Sequence, residues 1–357
     1  MKKTGLILIL TLLLNAFASS QVKKDYTIES ETVYAQRMQW IKDAKYGMFI
    51  HFGLYSQLGG VWNKDTISGY AEWIQARADI ASQDYAMLTH TFNPKEFDAN
   101  KIALLAKEAG MKYIVITTKH HEGFCLWDSK FTNYDVASTP FKGRDILAEL
   151  SAACKKHGLR FGTYYSIIDW HHSSQQRNNT GEKYWNQWGQ VQMKAGKRGE
   201  YINYMKNQIK ELIENYDTNI LWFDGDWVEW WNNDVGTDLY NYIRELKPDI
   251  IINNRVGKRE SFKKDFGTPE QKHIIEKVDY EWEACYTINN SWGFKENDLK
   301  WKSPETIYDK IKEINSNGGN LLLNIGPDGN GNVPPKSIEI LLEVGKLVLT
   351  NKVSLKN

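Results

Sequence analysis

The segment Leu221-Trp222-Phe223-Asp224-Gly225-Asp226-Trp227 follows the run Thr218-Asn219-Ile220 and decides how the fold is interpreted. Its β-branched and aromatic residues predict a buried strand. Gly225 is a poor strand residue, so we expect the strand to end at Asp224. In α/β barrels, functional side chains project from the carboxyl ends of the strands. Asp224 is therefore the first candidate for a functional residue.

Two tryptophans, Trp222 and Trp227, flank this carboxylate. Flat apolar surfaces beside one negative charge suit a site that binds a pyranose ring and reacts at its anomeric carbon. A structural interpretation fits the same residues, because Asp224 could cap the next helix while the tryptophans fill the core. The segment taken alone leaves both interpretations open.

Short apolar runs alternate with longer amphipathic stretches along the whole chain. Seven strands are predicted at residues 47–53, 112–118, 160–167, 219–223, 249–253, 280–288 and 320–325. Helices are predicted at residues 101–108, 146–156, 200–214, 239–246, 304–315 and 336–349. Near-continuous apolar strands separated by helices are typical of a parallel sheet covered on both faces.

We therefore expect an α/β fold of one catalytic domain, a (β/α)8-like TIM barrel with some irregularity. Its eighth strand is expected near residues 70–74 or among the tryptophans after Trp227. An open doubly wound sheet is the second choice. No GxGxxG follows the first strand, which argues against the dinucleotide-binding form of that sheet.

The first residues predict a secretory signal peptide. Lys2 and Lys3 precede an apolar run at residues 6–14, and Ala16-Phe17-Ala18 is a small-x-small cleavage pattern. The run is too short to span a bilayer, and no cysteine follows it to carry a lipid anchor. The predicted organisation is a signal peptide at 1–20, a catalytic domain at 21–350 and a tail at 351–357. We expect a secreted or periplasmic protein without membrane insertion.

Composition excludes several classes of partner and cofactor. The formal net charge is +1, so nothing indicates nucleic-acid binding. The three cysteines, Cys125, Cys154 and Cys285, are odd in number and lack a CxxC pair, which predicts buried free thiols.

The polar stretch 171–199 is expected to be an insertion at a strand end that folds over a substrate.

Four of the eight histidines lie in two adjacent pairs, at residues 120–121 and 171–172, just after predicted strands. Neighbouring strand residues point to opposite faces, so such a pair is a poor chelator, and HExxH spacing is absent. We expect no metal and no cofactor. A serine hydrolase is disfavoured because no GxSxG elbow is present. Neutral imidazoles that bind sugar hydroxyls account best for the histidines.

A series of motifs resembles the family 29 α-L-fucosidases in content and in order. The motifs are HFGLYS at 51–56, EW at 72–73, TTKHHEGF at 117–124, WFDG at 222–225, NR at 254–255, TPE at 268–270, and WE through SWG at 282–293. The resemblance extends from about residue 34 to residue 335. It implies a glycoside hydrolase with a barrel domain that removes terminal α-L-fucose from fucosylated glycans with retention of configuration.

The resemblance also implies roles for individual residues. Asp224 matches the nucleophile, and Glu270 matches the acid/base. The positions that match the fucose pocket are His51, Glu72, Trp73, His120, His121, Tyr164, Trp222 and Arg255. Judged from the residues alone, Glu283 is a rival acid/base, since a strand holds a carboxyl more rigidly than the loop expected at 258–277.

Retention requires two carboxyls ~5–5.5 Å apart, of which one attacks and the other transfers a proton. Asp224 must stay ionised, and Glu270 is expected in a partly apolar or anionic setting that retains its proton. The methyl group of fucose favours an apolar contact, for which Trp222 and Phe52 are candidates. Two alternatives remain, a fucose-binding relative without hydrolysis and a retaining glycosidase for a galactoside of related stereochemistry.

The chain departs from the family pattern in two places. Many members have Asn-Asp-Arg-Trp-Gly where this chain has Asn253-Asn254-Arg255-Val256-Gly257. Members commonly carry a β-sandwich after the barrel, whereas this chain ends at Asn357. We therefore expect an open leaving-group side and broad, aryl-tolerant activity.

Overall fold

Eight parallel strands form one sheet in the computed structural model, which describes residues 24–177, 191–262 and 264–354. In chain order the strands are β1 Tyr46–Ile50, β2 Tyr113–Lys119, β3 Arg160–Ser166, β4 Ile220–Asp224, β5 Ile251–Ile252, β6 Phe266–Gly267, β7 Glu281–Thr287 and β8 Asn320–Ile325. Successive strands are neighbours, and β8 pairs with β1. Between β5 and β6 the contact is a single bridge from Asn253 to Phe266. The sheet is thus a nearly closed (β/α)8 barrel, which confirms the predicted fold class.

Helices cover the outside of this sheet. The longer ones are α1 Glu31–Ala44, α2 Ala99–Glu108, α3 Ile146–His157, α4 Arg198–Tyr216, α5 Asn233–Leu246, α6 Pro304–Ser316 and α7 Pro335–Ser354. Short helical turns occur at Tyr55–Leu58, Ala71–Trp73, Ile74–Arg77, Ser82–Ala86, Met87–His90, Val136–Ser138 and Asn254–Val256. Within the described ranges, no helix combines the length and apolar character needed to cross a bilayer.

Side-chain caps fix where the helices begin. The carboxylates of Asp98 and Asp145 accept the backbone N–H of Lys101 and Ala148, each at 2.9 Å, at the starts of α2 and α3. These contacts satisfy N–H groups that have no partner inside a helix. Both helices were predicted from sequence, and they begin at these caps.

Two apolar clusters stabilise the barrel, one inside the ring of strands and one between the strands and the helices. Alternation along β1 separates them, because Phe49 belongs to the inner cluster while Met48 and Ile50 belong to the outer one. Met38 and Ile41 of α1 join the inner cluster and close the amino-terminal end of the barrel. The three cysteines are buried and free, as predicted.

The junction of β5 and β6, here called the seam, is held largely by one side chain. Each strand has two residues, so few ladder hydrogen bonds cross between them. The Asp265 carboxylate accepts the backbone N–H of Ile252 at 2.8 Å and the guanidinium of Arg37 at 2.9 Å and 2.7 Å. Tyr240 of α5 also donates to it at 2.9 Å. Asp265 therefore ties β5, α1 and α5 together beside β6.

The predicted position of the eighth strand was wrong. It is β6, Phe266–Gly267, whereas Ala71–Trp73 is a helical turn and the segment after Trp227 leads into α5. A strand of two residues carries no periodic signal, so sequence pattern could not locate it.

Three predicted segments fall wholly or partly outside the described residues, and one of them is the tail at 351–357, of which residues 355–357 lie outside. The signal peptide at 1–20 does so entirely. Of the predicted insertion at 171–199, residues 178–190 lie outside, and Gln175–Arg177 pairs with Val191–Met193 as an antiparallel hairpin on either side of them.

Candidate active site

A cavity of about 430 Å³ lies where the carboxyl ends of the strands meet. Nine of the ten predicted site residues line it, and these are His51, Glu72, Trp73, His120, Tyr164, Trp222, Asp224, Arg255 and Glu270. The other lining residues are Phe49, Tyr70, Arg77, Trp227, Cys285 and Trp292. His121 lies behind the wall, with Nε2 3.7 Å from Asp224 Oδ2. The sequence-predicted residues are therefore brought together at one end of the barrel.

Asp224 is the last residue of β4, and its side chain is 13% exposed. Gly225 follows with φ +90°, a conformation that favours glycine, and turns the chain away from the strand. Burial alone would raise the pKa of Asp224, but the charges of Arg255 and Arg259 outweigh it and hold the pKa well below its usual value. Asp224 is thus an ionised carboxylate at the cavity wall.

Arg255 links Asp224 to Glu270. Its Nη1 donates to Asp224 Oδ1 at 2.6 Å, and its Nη2 donates to Glu270 Oε2 at 3.1 Å. Thr268 fixes the guanidinium by accepting from Nε at 2.8 Å. Two carboxylates on one guanidinium lie close together, as a pair of acid and nucleophile must. The setting of Glu270 differs in part from the expectation, because its side chain is 37% exposed and its Oε2 accepts from the Arg255 guanidinium, although the Glu72 carboxyl also lies near enough for the two charges to interact.

The histidines of the cavity are neutral because they are buried. Burial lowers the pKa of His51 to about 3 and that of His121 to about 4. Asn324 donates its amide to the Trp292 carbonyl at 2.7 Å, so its oxygen faces His51 Nδ1 at 2.6 Å. Nδ1 of His51 therefore carries the proton, and Nε2 is left as a hydrogen-bond acceptor. The predicted neutral imidazoles agree with this geometry.

Glu72 brings a second kind of acceptor to the cavity. Its Oε2 accepts the backbone N–H of Gly293 at 2.8 Å, while the buried Oε1 has no hydrogen-bond partner in the part of the chain that the structure describes. Burial raises the pKa of Glu72 to about 7. A buried polar atom without a partner is costly, so Oε1 is suited to bind a hydroxyl group of a ligand.

Aromatic rings form the apolar part of the wall. The Trp222 ring lies parallel to Tyr164, with centroids 5.8 Å apart, and carries the Arg255 guanidinium at 4.5 Å. Trp227 lies nearly parallel to Trp73 at 6.3 Å. The predicted contact through Phe52 was wrong, since that ring packs in the outer cluster against Phe92 and Phe97. Alternation from β1 places Phe49 toward the cavity instead.

Glu283, the rival acid/base, and Asp226, which lies two residues after Asp224, do not line the cavity. Glu283 lies beneath it, buried, and accepts from Trp222 Nε1 at 2.9 Å and from the hydroxyl of Tyr113. Burial raises the pKa of Glu283 to about 7. Asp226 is buried in an ion pair with Arg259. Both carboxyls therefore hold other side chains in place.

The TTKHHEGF segment supports the cavity from behind. Lys119 forms a fully buried ion pair with Asp169 at 3.0 Å. Glu122 accepts the backbone N–H of Leu54 at 3.0 Å and the hydroxyl of Tyr85, and burial raises its pKa to about 7. These contacts join the loops that follow β1, β2 and β3. They explain why this segment carries several charged residues that do not face the cavity.

Sequence analysis missed several residues of the site. Trp292 lies in the SWG motif and could have been found there, whereas Arg77 and Arg259 carry no sequence signal. Arg259 donates to Asp224 Oδ1 at 3.2 Å from the loop between β5 and β6, two residues after the stretch 253–257 where the chain departs from the family pattern. In the described part of the chain, no group of three or more His, Cys, Asp or Glu side chains is arranged to hold a metal ion.

Comparisons with known proteins agree with this geometry. A family model described as Alpha-L-fucosidase matches residues 13–352. An α-L-fucosidase of Lactobacillus casei, solved with α-L-fucose as product, is 39% identical, with a TM-score of 0.78 over 89% of this chain and 99% of that one. Isoenzyme 1 of Paenibacillus thiaminolyticus is 36% identical, with a TM-score of 0.79 over 90% and 77% of the two chains. The Dictyostelium discoideum α-L-fucosidase is 30% identical over 88% of this chain and 70% of that protein.

Proposed function

Because the chain belongs to the α-L-fucosidase family, whose members are glycoside hydrolases, we propose that it is an exported exo-enzyme that releases terminal α-L-fucose from fucosylated glycans with retention of configuration. Asp224 is the nucleophile and Glu270 is the acid/base. The observation that carries the proposal is the binding of both carboxylates to the guanidinium of Arg255 inside the cavity. Export rests on the pattern of residues 1–20.

The reaction proceeds in two displacements. Asp224 attacks the anomeric carbon while Glu270 gives its proton to the glycosidic oxygen, and the leaving group departs. Glu270, now a carboxylate, then takes a proton from water as the water oxygen attacks the same carbon and releases Asp224. Two inversions at one carbon give retention. The depressed pKa of Asp224 keeps it ionised for the first step.

The remaining cavity residues bind the sugar. His51 Nε2 is an acceptor in the tautomer that Asn324 fixes, and Glu72 Oε1 has no hydrogen-bond partner among the described residues, so both suit the hydroxyl groups of fucose. Phe49, Trp222 and Trp292 supply apolar surface for the ring and its methyl group. The cavity thus has polar and apolar walls, as a deoxy sugar requires.

The acid/base assignment favours Glu270 over two other carboxyls. Glu283 does not line the cavity, and both of its oxygens are occupied by Trp222 and Tyr113. Glu72 does line it and has a pKa of about 7, which suits a general acid. Its Oε2, however, is bound by the Gly293 backbone, and the family resemblance puts Glu72 on the sugar. Glu270 is exposed at the rim, where a leaving group must pass.

The nucleophile is tested with Asp224→Gly on an aryl α-L-fucoside. Activity should fall by several orders of magnitude, and azide should restore turnover and yield the inverted β-fucosyl azide, since a small anion fits the vacated space. Substantial activity of the variant without azide would contradict the assignment. With the unmutated protein, NMR should detect α-fucose as the first product, and β-fucose first would exclude retention.

The acid/base is tested by leaving-group dependence in Glu270→Ala, with Glu72→Gln and Glu283→Gln as matched comparisons. The Glu270 variant should lose little on an activated aryl fucoside and much on an unactivated fucosyl oligosaccharide. If a comparison variant shows this small loss on the aryl fucoside and large loss on the oligosaccharide, and Glu270→Ala does not, Glu270 is not the acid/base. Turnover of an aryl galactoside faster than that of the aryl fucoside would favour the galactosidase alternative. No turnover of either substrate by the unmutated protein would favour a binding protein.

Export is tested by cell fractionation. The full chain expressed in a Gram-negative host should be found in the periplasm or medium without its first residues. A variant with Leu10→Arg in the apolar run at 6–14 should stay in the cytoplasm. Equal cytoplasmic retention of both proteins would contradict export.

A further inference from the structure

Two arginines bind the same oxygen of Asp224. Arg255 Nη1 lies 2.6 Å from Oδ1, and Arg259 Nη2 lies 3.2 Å from that atom. The other oxygen, Oδ2, contacts neutral groups, the Tyr164 hydroxyl at 3.3 Å and His121 Nε2 at 3.7 Å. The two oxygens of the proposed nucleophile are therefore electrostatically different. Oδ1 is held by cations, while Oδ2 accepts only one long hydrogen bond among the described residues, from Tyr164, and retains a lone pair for another partner.

Arg259 is held in this position from two sides. The buried Asp226 accepts Arg259 Nε at 3.0 Å on both of its oxygens and also accepts the Arg259 backbone N–H at 3.0 Å. The guanidinium lies 5.4 Å from the ring of Trp227, which lines the cavity. The Arg259 side chain is 24% exposed and does not itself line the cavity, so it acts on Asp224 from outside the sugar-binding space. Asp226 thus aims Arg259 at Asp224.

We propose that Arg259 is a catalytic residue for the second displacement, where it stabilises the carboxylate of Asp224 as that group leaves the anomeric carbon. Oδ2 is the oxygen that bonds to the sugar, and Oδ1 stays with the two arginines throughout. The inference rests on the proposed function, because it requires a covalent fucosyl-enzyme.

The charges balance as follows in the two steps. In the first, a lone pair of Asp224 Oδ2 forms the bond to the anomeric carbon, and the bonding pair of the glycosidic link goes to the leaving oxygen, which takes the proton of Glu270. The ester that results is neutral. In the second, the water oxygen bonds to that carbon, its proton goes to Glu270, and the carbon–Oδ2 pair returns to Asp224.

A cation beside Oδ1 therefore favours the second step over the first. It stabilises the carboxylate, which exists before the first step and after the second, more than it stabilises the neutral ester. Removing the cation makes the ester more stable relative to the free carboxylate and slows its hydrolysis. Since Arg255 also binds Glu270, Arg259 is the arginine whose loss isolates this effect on Asp224.

The test is the steady-state kinetics of Arg259→Gln on an activated aryl α-L-fucoside, for which hydrolysis of the intermediate can limit turnover. For a double displacement in which the second step limits turnover, slowing that step lowers kcat and KM together. The ratio kcat/KM reports only the first step, which loss of the cation does not slow. We expect kcat and KM each to fall by about tenfold, the scale of one partly exposed charge contact. Intact-mass spectrometry of rapidly quenched enzyme should show more fucosyl adduct than in the wild type.

Two further variants keep the result interpretable. Arg259→Lys retains the charge and should recover most of kcat. Lys272→Gln removes the charge of an exposed lysine that does not line the cavity, in the neighbouring loop after β6, and should match the wild type. A fall in kcat/KM as large as the fall in kcat, with no added adduct, would overturn the proposal, as would unchanged kinetics. Unaided activity of Asp224→Gly, measured in parallel, would instead refute the proposed function.

Discussion

Replacing Glu283 by glutamine tests how this buried carboxyl is held beneath the cavity. Glu283 is buried inside the barrel, and its two oxygens accept hydrogen bonds from Trp222 and Tyr113. Burial raises its pKa from 4.5 to about 7 in the folded protein. Glutamine has the same shape and keeps an acceptor for Trp222, but it carries no charge at any pH.

The difference between the folded and unfolded pKa of Glu283 determines how its contribution to the free energy of unfolding changes with pH, in both sign and size. Because the folded protein binds the proton more tightly than the unfolded chain, the stability from this group is complete below pH 4.5 and is lost as the pH rises through about 7. A pKa raised from 4.5 to about 7 corresponds to about 3 kcal/mol. At pH 4.5 the wild type and Glu283→Gln should unfold with similar free energies. At pH 8.5 the variant should be the more stable by about 3 kcal/mol.

Urea unfolding followed by circular dichroism at pH 4.5 and pH 8.5 measures this difference. Glu276→Gln, which alters an exposed carboxyl in the loop after Glu270, is the control and should follow the wild type at both pH values. A difference between wild type and Glu283→Gln that does not change with pH would refute the reasoning. Retained turnover in the variant would also agree with a carboxyl that supports Trp222 and transfers no proton.

Three further predictions concern the support of the site and its chemistry. Lys119→Met leaves Asp169 buried without its ion-pair partner, so the free energy of unfolding should fall by about 3 kcal/mol in denaturant titrations; a change below about 1 kcal/mol would contradict a structural role for the pair. Gly225→Ala forces a side chain into φ +90° with its methyl 2.9 Å from Ile168, and it should lower kcat/KM by at least about tenfold by displacing the adjacent Asp224; an unchanged value would show that the turn does not aim this carboxylate. Prolonged dialysis against a chelator should leave turnover unchanged, because two carboxylates suffice for the mechanism, and a loss that one divalent ion reverses would refute this.

The sequence predicted those parts of the barrel in which local pattern and tertiary role coincide. β4 and β8 are largely apolar runs, and α3 is capped by Asp145 before its first residue and by Gly158 after its last, so each element carries its own signal. The strand-end position of Asp224 followed from the same pattern. The period-two rule for β1 gives Phe49 an inward position, whereas Phe52 lies beyond the last residue of that strand and packs in the outer cluster.

Other parts of the site depend on contacts between distant segments. The pairing of Asp224 with Glu270 through Arg255 joins three strand ends, and no spacing in the chain encodes it. Alternation along β7 could not decide whether Glu283 or Glu270 is the acid/base. Alternation predicts which face of a strand a side chain lies on, but it does not predict that Trp222 packs against Glu283 on that face. Arg259 contacts Asp224 because Asp226 holds its guanidinium and backbone in place. Sequence pattern assigns no role to Asp226, so it could not predict this contact.

The seam gives the two proposed catalytic carboxylates unequal freedom to diverge during evolution. Asp224 ends a strand that pairs with β3 over five positions, so adding or deleting one residue there would turn every following side chain to the other face. β6 is two residues long, and it meets β5 through one bridge beside Asp265. The loops around it can lengthen or shorten at the small cost of loop entropy. During evolution the nucleophile can therefore stay at a fixed position in a sequence alignment while the position of the acid/base shifts. Alignments of distant relatives will identify the nucleophile more readily than the acid/base.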